Sequence, residues 1–329
     1  MMKKRLGKAF LAYALEILSC WAGTSMDVEY LINHGLINER LVLRGEEPSE
    51  HLLSSCTYTD GRTLRIPNGS AINFAARDAV GRIIRIASSV NTIPNPLYLT
   101  HSGLVINDDP RIIYGILEEL IEESTLNGCQ PRIAALRLMM LNLSSAYDHI
   151  LGFQEEVGSD NLYVVPFCLE ASGTASQVMG GIMPHVQIRA MHQVVNGYNG
   201  NVFVRPLLEG IPAVSTRKFL KEYLGRSYEG IWTILELLRA PIAHNKREET
   251  DRVFCSEMVA LFYKTYSELS IDNVSNVIPE ILGAGAEEHD LLKDIASTDI
   301  PLKMLYDFSE EDNCCCCTFS NSMKKCLIL

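Results

Sequence analysis

Residues 97–106, LYLTHSGLVI, form the stretch that decides the fold class. This run follows a turn at Pro94 and Pro96, is rich in β-forming residues and is apolar on both faces, which predicts a buried strand. The segment 161–172, NLYVVPFCLEAS, has the same character and predicts a second strand. HVQIRAM and GNVFVRPL predict further strand within 185–207. We therefore expect the middle of the chain to form a sheet.

Helical patterns surround these strands. Residues 110–156 show helical periodicity that is broken at NGCQP, which predicts a pair of helices or an inserted helical hairpin. After Pro212, the segment STRKFLKEYLGRSYEG predicts a helix with a Ser or Thr N-cap and a Gly stop. A last helix is predicted within 253–269, with one apolar face formed by Met258, Val259, Phe262 and Tyr266. Strands and helices in this arrangement predict the α+β class.

Composition excludes several classes of protein. The chain has 329 residues, of which 47% are hydrophobic and 21% are charged, and this is the usage of a folded globular protein. Its 40 acidic and 29 basic residues give a formal charge of -11, without a block of Lys and Arg that would bind a phosphate backbone. Nucleic acid is therefore not an expected partner. We find no apolar run of the length that a membrane-spanning helix needs.

Cys255 is the first candidate for chemistry, because its helix is predicted to begin at this residue. The positive end of the helix dipole and the free N–H groups of the first turn stabilise a thiolate. A nucleophilic thiol also needs a histidine to hold its proton and a polar group to orient that histidine. His101, inside an apolar strand, and Glu170, at the end of another, have the right character. Each also has a structural interpretation: a core thiol, a structural histidine and a solvent-facing carboxylate.

The order of LTHSGLVI, CLEAS, FLKEYLGRSYEG and VFCSEMVALFYKTY resembles the circularly permuted papain-like cysteine hydrolases of the YiiX-like branch of the NlpC-type superfamily. The resemblance covers roughly residues 75–270. It implies a six-stranded papain-like sheet in permuted order, antiparallel and packed on helices. By this resemblance Cys255 is the nucleophile, His101 the general base and Glu170 the orienting carboxylate.

The resemblance also implies two residues that contact substrate. Gly103 would let the backbone approach a bound acyl group, while the N–H of Cys255 would donate to the oxyanion. Tyr228 would either line the cleft or serve only in packing. The helical segment between His101 and Glu170 departs from the family's pattern.

The resemblance and the patterns of the flanking sequence together give the expected domain boundaries. Residues 1–70 are predicted to form an N-terminal helical extension, and residues 71–270 a permuted papain-like catalytic domain with a helical insertion at about 110–156. A C-terminal helical segment and linker would occupy 271–313, followed by a lipidated tail over 314–329. The first residues, MMKKRLGKAFLAYALEILSCWAG, predict an amphipathic helix or imitate a secretory signal, although Glu16 interrupts the apolar run.

The expected function is that of a cysteine hydrolase, a peptidase or amidase that works through an acyl-enzyme. The first alternative is a lipid acyltransferase or thioesterase, similar to the lecithin:retinol acyltransferase relatives. The second is a catalytically silent, membrane-tethered binding module. No cofactor is expected. No metal site is expected either, because His185 and His192 lie too far apart for a helical metal pair.

The last residues, Cys326-Leu327-Ile328-Leu329, match a C-a-a-X prenylation box in which Leu at the final position favours a geranylgeranyl group. One lipid chain gives only reversible membrane binding, so firm attachment needs a second signal. The adjacent Lys324-Lys325 pair is one such signal. The other is a palmitoylation cluster formed by Cys314, Cys315, Cys316 and Cys317. The alternative to lipidation is a terminal Cys that is present by chance, with a CCCC segment that is merely reactive or binds metal.

Prenylation implies a prenyltransferase as partner, and attachment at the cytoplasmic face of eukaryotic membranes. If the source is a bacterium, it implies a protein delivered into a eukaryotic host and attached to host membranes. The few scattered cysteines of the rest of the chain agree with a reducing compartment. The substrate would then be a peptide, an amide or a lipid near the membrane.

Cys326→Ser is expected to move the protein from membranes to the cytosol of a eukaryotic cell, because the thioether bond to the prenyl chain cannot form. Replacement of the Cys314–Cys317 cluster by Ser should leave partial, faster-exchanging binding. Fractionation of tagged variants, with a prenylation inhibitor as the control, measures both effects. Unchanged membrane association of the Cys326→Ser protein would show that the anchor lies elsewhere.

Overall fold

The computed structural model describes residues 42–45, 52–57, 63–76, 99–151, 164–172, 185–228, 252–274, 277–284 and 290–304. The predictions for the N-terminal helix and for the lipidated tail lie outside the described residues, as do those for Cys314 to Cys317 and Cys326.

A small antiparallel sheet comes first in the chain, with the strands in sequence order: β1 (Val42–Gly45), β2 (Leu53–Thr57) and β3 (Thr63–Pro67). The prediction of a helical extension is therefore wrong for this part of the chain. Tertiary contacts explain the difference. The side-chain amide of Asn107 donates to the backbone carbonyls of Leu52 and Ile66, at 3.2 and 2.8 Å. These bonds hold the extended backbone against the main sheet. In a helix, the same carbonyls would accept N–H groups of the helix itself.

The main sheet has eight strands in the described part of the chain, two more than the resemblance implies. They are β4 (Ala71–Ala76), β5 (His101–Asp108), β6 (Val165–Ser172), β7 (His185–Ala190), β8 (Gly200–Arg205), β9 (Ser227–Tyr228), β10 (Arg252–Val253) and β11 (Ile300–Lys303). Their order across the sheet is β10-β9-β7-β6-β5-β4-β8-β11. All neighbours are antiparallel except β9 and β10, which are parallel. The sheet predicted for the middle of the chain is thus present.

Five α-helices accompany the strands in the described residues: α1 (Pro110–Leu126), α2 (Gln130–Leu151), α3 (Met191–Gly197), α4 (Ala213–Tyr223) and α5 (Cys255–Tyr266). The α+β class is confirmed, and the predicted helix pair corresponds to α1 and α2. Before α4 stands Pro212, without a side-chain cap, where a Ser or Thr cap was predicted. Among the described helices, none combines the length and apolar character that crossing a bilayer requires.

The sheet separates two apolar layers, because successive strand residues point to opposite faces. On one face, Leu104 and Leu169 pack with apolar residues of α1, α2, α4 and α5. On the other face, Val105 and Cys168 pack with α3. α5 packs on the first face of the sheet and begins just after β10. Its first residue, Cys255, interacts with the backbone of Ser102, so it lies near the start of β5.

The structure also differs from the prediction of a C-terminal helical segment within 271–313. Within 271–304 the structure has a short 3-10 helix, Pro279–Leu282, and β11 at the edge of the sheet. The buried side chain of Arg205 explains this arrangement. It donates to both carboxylate oxygens of Asp290, at 2.6 and 2.7 Å, and to the carbonyls of Leu282 and Ser297. The segment is therefore fixed by contacts with β8 that no local pattern encodes.

Candidate active site

Cys255 is the first residue of α5, as the sequence predicts, and follows the extended residue Phe254. Two contacts fix this helix start. The Glu257 carboxylate accepts the N–H of Phe254 at 3.3 Å, and the Ser256 hydroxyl donates to the carbonyl of Val277 at 2.6 Å. Only 7% of Cys255 is exposed. The thiol is thus held in one place, beside backbone N–H groups of the first turn that have no acceptor within the helix.

His101 is the first residue of β5, and its ring contacts three groups. Nε2 lies 2.8 Å from Oε2 of Glu170. The ring centroid lies 5.2 Å from that of Phe74, the residue opposite it on β4. The ring also interacts with the thiol of Cys255, and this interaction raises the pKa of the imidazole. Because Glu170 engages Nε2, Nδ1 is the ring nitrogen left for the thiol.

Glu170 lies on β6 directly opposite Gly103 of β5 and Gln187 of β7. Its side chain is 3% exposed, and both carboxylate oxygens have partners. Oε2 contacts His101, while Oε1 accepts the Gln187 amide at 2.9 Å and the guanidinium of Arg189. The structure therefore brings all three predicted catalytic residues together, on the ends of β5, β6 and α5.

The carboxylate of Glu170 is ionised. Burial by itself raises its pKa, but the positive charge of Arg189 and the bonds with His101 and Arg189 outweigh burial and lower the pKa to about 2. A buried carboxylate that keeps its charge favours a protonated imidazole beside it.

The thiol and the imidazole shift each other's pKa in opposite directions. Burial lowers the pKa of His101, but the negative charges of Cys255 and Glu170 and the bonds with them raise it to about 10. Burial raises the pKa of Cys255, but the His101 charge and bonds from His101 and from the backbone N–H groups of Ser102 and Ser256 bring it below its ordinary value. Both shifts favour the state with the proton on the imidazole and the charge on the sulfur.

Two residues, Gly103 and Tyr228, were predicted to contact substrate, and the structure describes the surroundings of the first and the backbone of the second. Gly103 is buried in the middle of β5, and a Cβ at this position would lie 2.7 Å from the carbonyl oxygen of Leu169. Glycine is therefore required for the packing of β5 against β6, and the expected approach to a bound acyl group stays a prediction. Tyr228 pairs with Val253, so its backbone lies beside the strand that leads into Cys255.

Gln187 and Arg189 were not identified from the sequence, although a signal exists. In the strand HVQIRAM the two residues are separated by one position, which places them on the same face. An Arg and a Gln facing one way in an otherwise apolar strand indicate a buried acceptor on the neighbouring strand. Which strand that is depends on the pairing of β6 with β7, and the sequence alone does not give this pairing.

The two histidines that were considered as a metal pair in the sequence lie on β7 and α3. His185 is buried at the start of β7. On α3, the centroid of the His192 ring lies 6.0 Å from that of Tyr147. Within the described residues, no group of three or more His, Cys, Asp or Glu side chains is placed to hold a metal ion.

The arrangement provides a buried thiol whose pKa is lowered, an adjacent imidazole whose pKa is raised, and a carboxylate that orients this imidazole. These are the parts of a thiol nucleophile with its acid–base partner. No protein-family model, curated protein or solved structure matches the chain, so its function is inferred from its own residues.

Proposed function

We propose that the chain is a papain-like cysteine hydrolase in circularly permuted order, which cleaves an amide or ester bond through an acyl-enzyme on Cys255. The observation that carries this proposal is the Cys255 thiol at a helix start, which interacts with a His101 ring that Glu170 orients. Chain order supports the permutation, because the histidine and the carboxylate precede the cysteine. The helix that carries the thiol packs on the sheet that carries its partners.

The chemistry proceeds in two halves. The Cys255 thiolate attacks the carbonyl carbon, and the oxygen of the tetrahedral intermediate accepts the N–H of Cys255. The His101 imidazolium then gives its proton to the leaving amine or alkoxide, and the carbon–heteroatom bond breaks to leave a thioester. In the second half, His101 takes a proton from water, the hydroxide attacks the thioester, and the acid leaves as the thiolate is restored.

Glu170 has no direct contact with the reacting carbon in this scheme. It accepts from Nε2, so the ring presents Nδ1 to the sulfur and to the leaving group throughout both halves. Its negative charge also stabilises the imidazolium that each half requires.

Alkylation with iodoacetamide tests the central premise without a known substrate. At pH 6 we expect Cys255 to react at least about tenfold faster than Cys129, because the thiolate is the reactive form. Cys129 is a suitable internal comparison, since it is a free thiol and is exposed, whereas Cys255 is buried. Mass spectrometry of peptides after timed labelling gives both rates. Equal rates, or a slower rate at Cys255, would favour the silent binding module.

Turnover of an activated thioester should follow a bell-shaped pH profile. The acid limb should lie below the pH at which a free thiol ionises, about 8.5, because the pKa of Cys255 is lowered. The basic limb should fall near pH 10, where the raised pKa of His101 is reached and the imidazolium loses its proton. Measurement of kcat/KM from pH 4 to 11 in overlapping buffers checks both limbs. A single rise centred near the free thiol value would contradict the ion pair.

A further inference from the structure

The second oxygen of Glu170 is held entirely from β7. Oε1 accepts the amide of Gln187 and the guanidinium of Arg189, whereas Oε2 faces His101. Gln187 is directly opposite Glu170, and Arg189 is opposite Cys168 of the same strand. Both β7 side chains therefore point to the sheet face that carries Glu170, and both reach the same oxygen. One of them brings a charge and the other does not.

A buried carboxylate needs a cation, because without one it takes up a proton and loses its value as an acceptor of a charged imidazole. In the described structure three titratable side chains interact with Glu170: His101 from β5, Cys168 from β6 and Arg189 from β7. Cys255, from α5, interacts with His101 and so reaches Glu170 only through that ring. Among these groups only Arg189 carries a charge that does not depend on pH over the working range.

The position of Arg189 suits this role. Its side chain is 31% exposed, whereas the Glu170 side chain is 3% exposed, so the guanidinium extends from partly hydrated surroundings to a dry carboxylate. The recorded contact uses a single guanidinium nitrogen, Nη2. A single charged contact of this kind is one that a lysine can replace.

We propose that Arg189 is a positioning residue that keeps Glu170 charged and fixed, and that the thiolate–imidazolium pair of Cys255 and His101 depends on it. Gln187 supports the same oxygen by geometry alone. The consequence for catalysis rests on the proposed function, but the effect on the thiol does not.

The test measures the midpoint pH of Cys255 alkylation by iodoacetamide, which needs no substrate and no turnover. Arg189→Met should move the midpoint upward by about one pH unit or more, which is about a tenfold loss of rate on the acid limb. Gln187→Met is the matched control, since it removes a bond to the same oxygen without removing a charge. It should move the midpoint by less than a third as much. Arg189→Lys should recover more than half of the shift.

If Arg189 acts through Glu170, its effect must disappear when the charge of Glu170 is absent. Once Glu170→Gln has removed the carboxylate charge, adding Arg189→Met should change the alkylation rate by less than about threefold. A full additional shift in this double variant would show that Arg189 acts on the thiol directly, and it would overturn the proposal. An unchanged midpoint in a folded Arg189→Met protein, checked by its thermal transition, would overturn it as well.

Two safeguards keep the outcome decisive. If Arg189→Met does not fold, Arg189→Lys decides instead, because a shift as large as that of Glu170→Gln contradicts the proposal. If the native chain alkylates at low pH and Arg189→Met shifts the midpoint, yet no ester, amide or thioester is turned over, the proposed function fails and the positioning role stands.

Discussion

Replacement of Cys255 by alanine is expected to lower turnover of an activated thioester by at least about a thousand-fold, because the proposed acyl-enzyme forms on its sulfur. The thermal transition should stay nearly unchanged. The thiol occupies the first position of α5, and the contacts that fix this helix start are made by Ser256 and Glu257. Loss of activity with retained stability therefore separates a chemical role from a packing role.

Three further variants define the roles of the partners. His101→Ala should reduce kcat/KM as severely as Cys255→Ala, since the imidazole is both the acid and the base. Glu170→Gln should retain part of the rate, because an orienting group contributes less than the nucleophile or the base. Cys129→Ala, which removes an exposed thiol, should leave the rate unchanged within about twofold. Activity that persists in the Cys255→Ala protein would exclude the assigned nucleophile.

The sequence is most informative where a local pattern alone determines the structure. The strand around His101, the strand that ends near Glu170, and the start of the helix at Cys255 are all recognisable from apolar patterning. β5 begins at His101 and α5 begins at Cys255 in the structure. The α1–α2 pair was predicted from its periodicity and from the break between its helices. Each of these elements buries an apolar face, so the spacing of its apolar residues predicts the element from the sequence alone.

Other parts of the fold depend on partners that are distant in sequence. The region of β1 to β3 was interpreted as helical, although side-chain bonds from Asn107 to the carbonyls of Leu52 and Ile66 hold the backbone extended just before β2 and within β3. The segment before β11 was predicted to be helical, and the buried Arg205 determines its course through contacts with Asp290 and two carbonyls. Short polar stretches have weak preferences of their own, and long-range contacts override them.

The same distinction applies to the site. The predicted residues His101, Glu170 and Cys255 are brought together, whereas their catalytic roles stay proposals. Gln187 and Arg189 were missed because their meaning depends on the register of β6 against β7. Gly103 was predicted to allow a close approach of backbone, and the structure shows one such approach, by the Leu169 carbonyl. Its expected contact with substrate stays a prediction.

The largest effect on stability is expected from Arg205→Met, which should lower the free energy of unfolding by about 3–5 kcal/mol. Arg205 is 1% exposed and Asp290 has a side chain that is 9% exposed, so the substitution leaves a carboxylate buried without its cation. It also removes the donors to the carbonyls of Leu282 and Ser297. Chemical denaturation followed by circular dichroism, compared with the native chain, measures the loss.

Two comparisons identify the cause of that loss. Lys221→Met breaks an ion pair with Glu119 whose side chains are 46% and 60% exposed, and it should cost less than about 1 kcal/mol. Adding Asp290→Asn to Arg205→Met removes the buried charge and should restore part of the stability, because an unpaired amide is less costly to bury than a carboxylate. If Arg205→Met costs no more than Lys221→Met, the contact with Asp290 does not hold the C-terminal segment to the sheet. The path of residues 290–304 along β8 would then depend on the pairing of β11 and on the apolar contacts of Leu292 and Leu302.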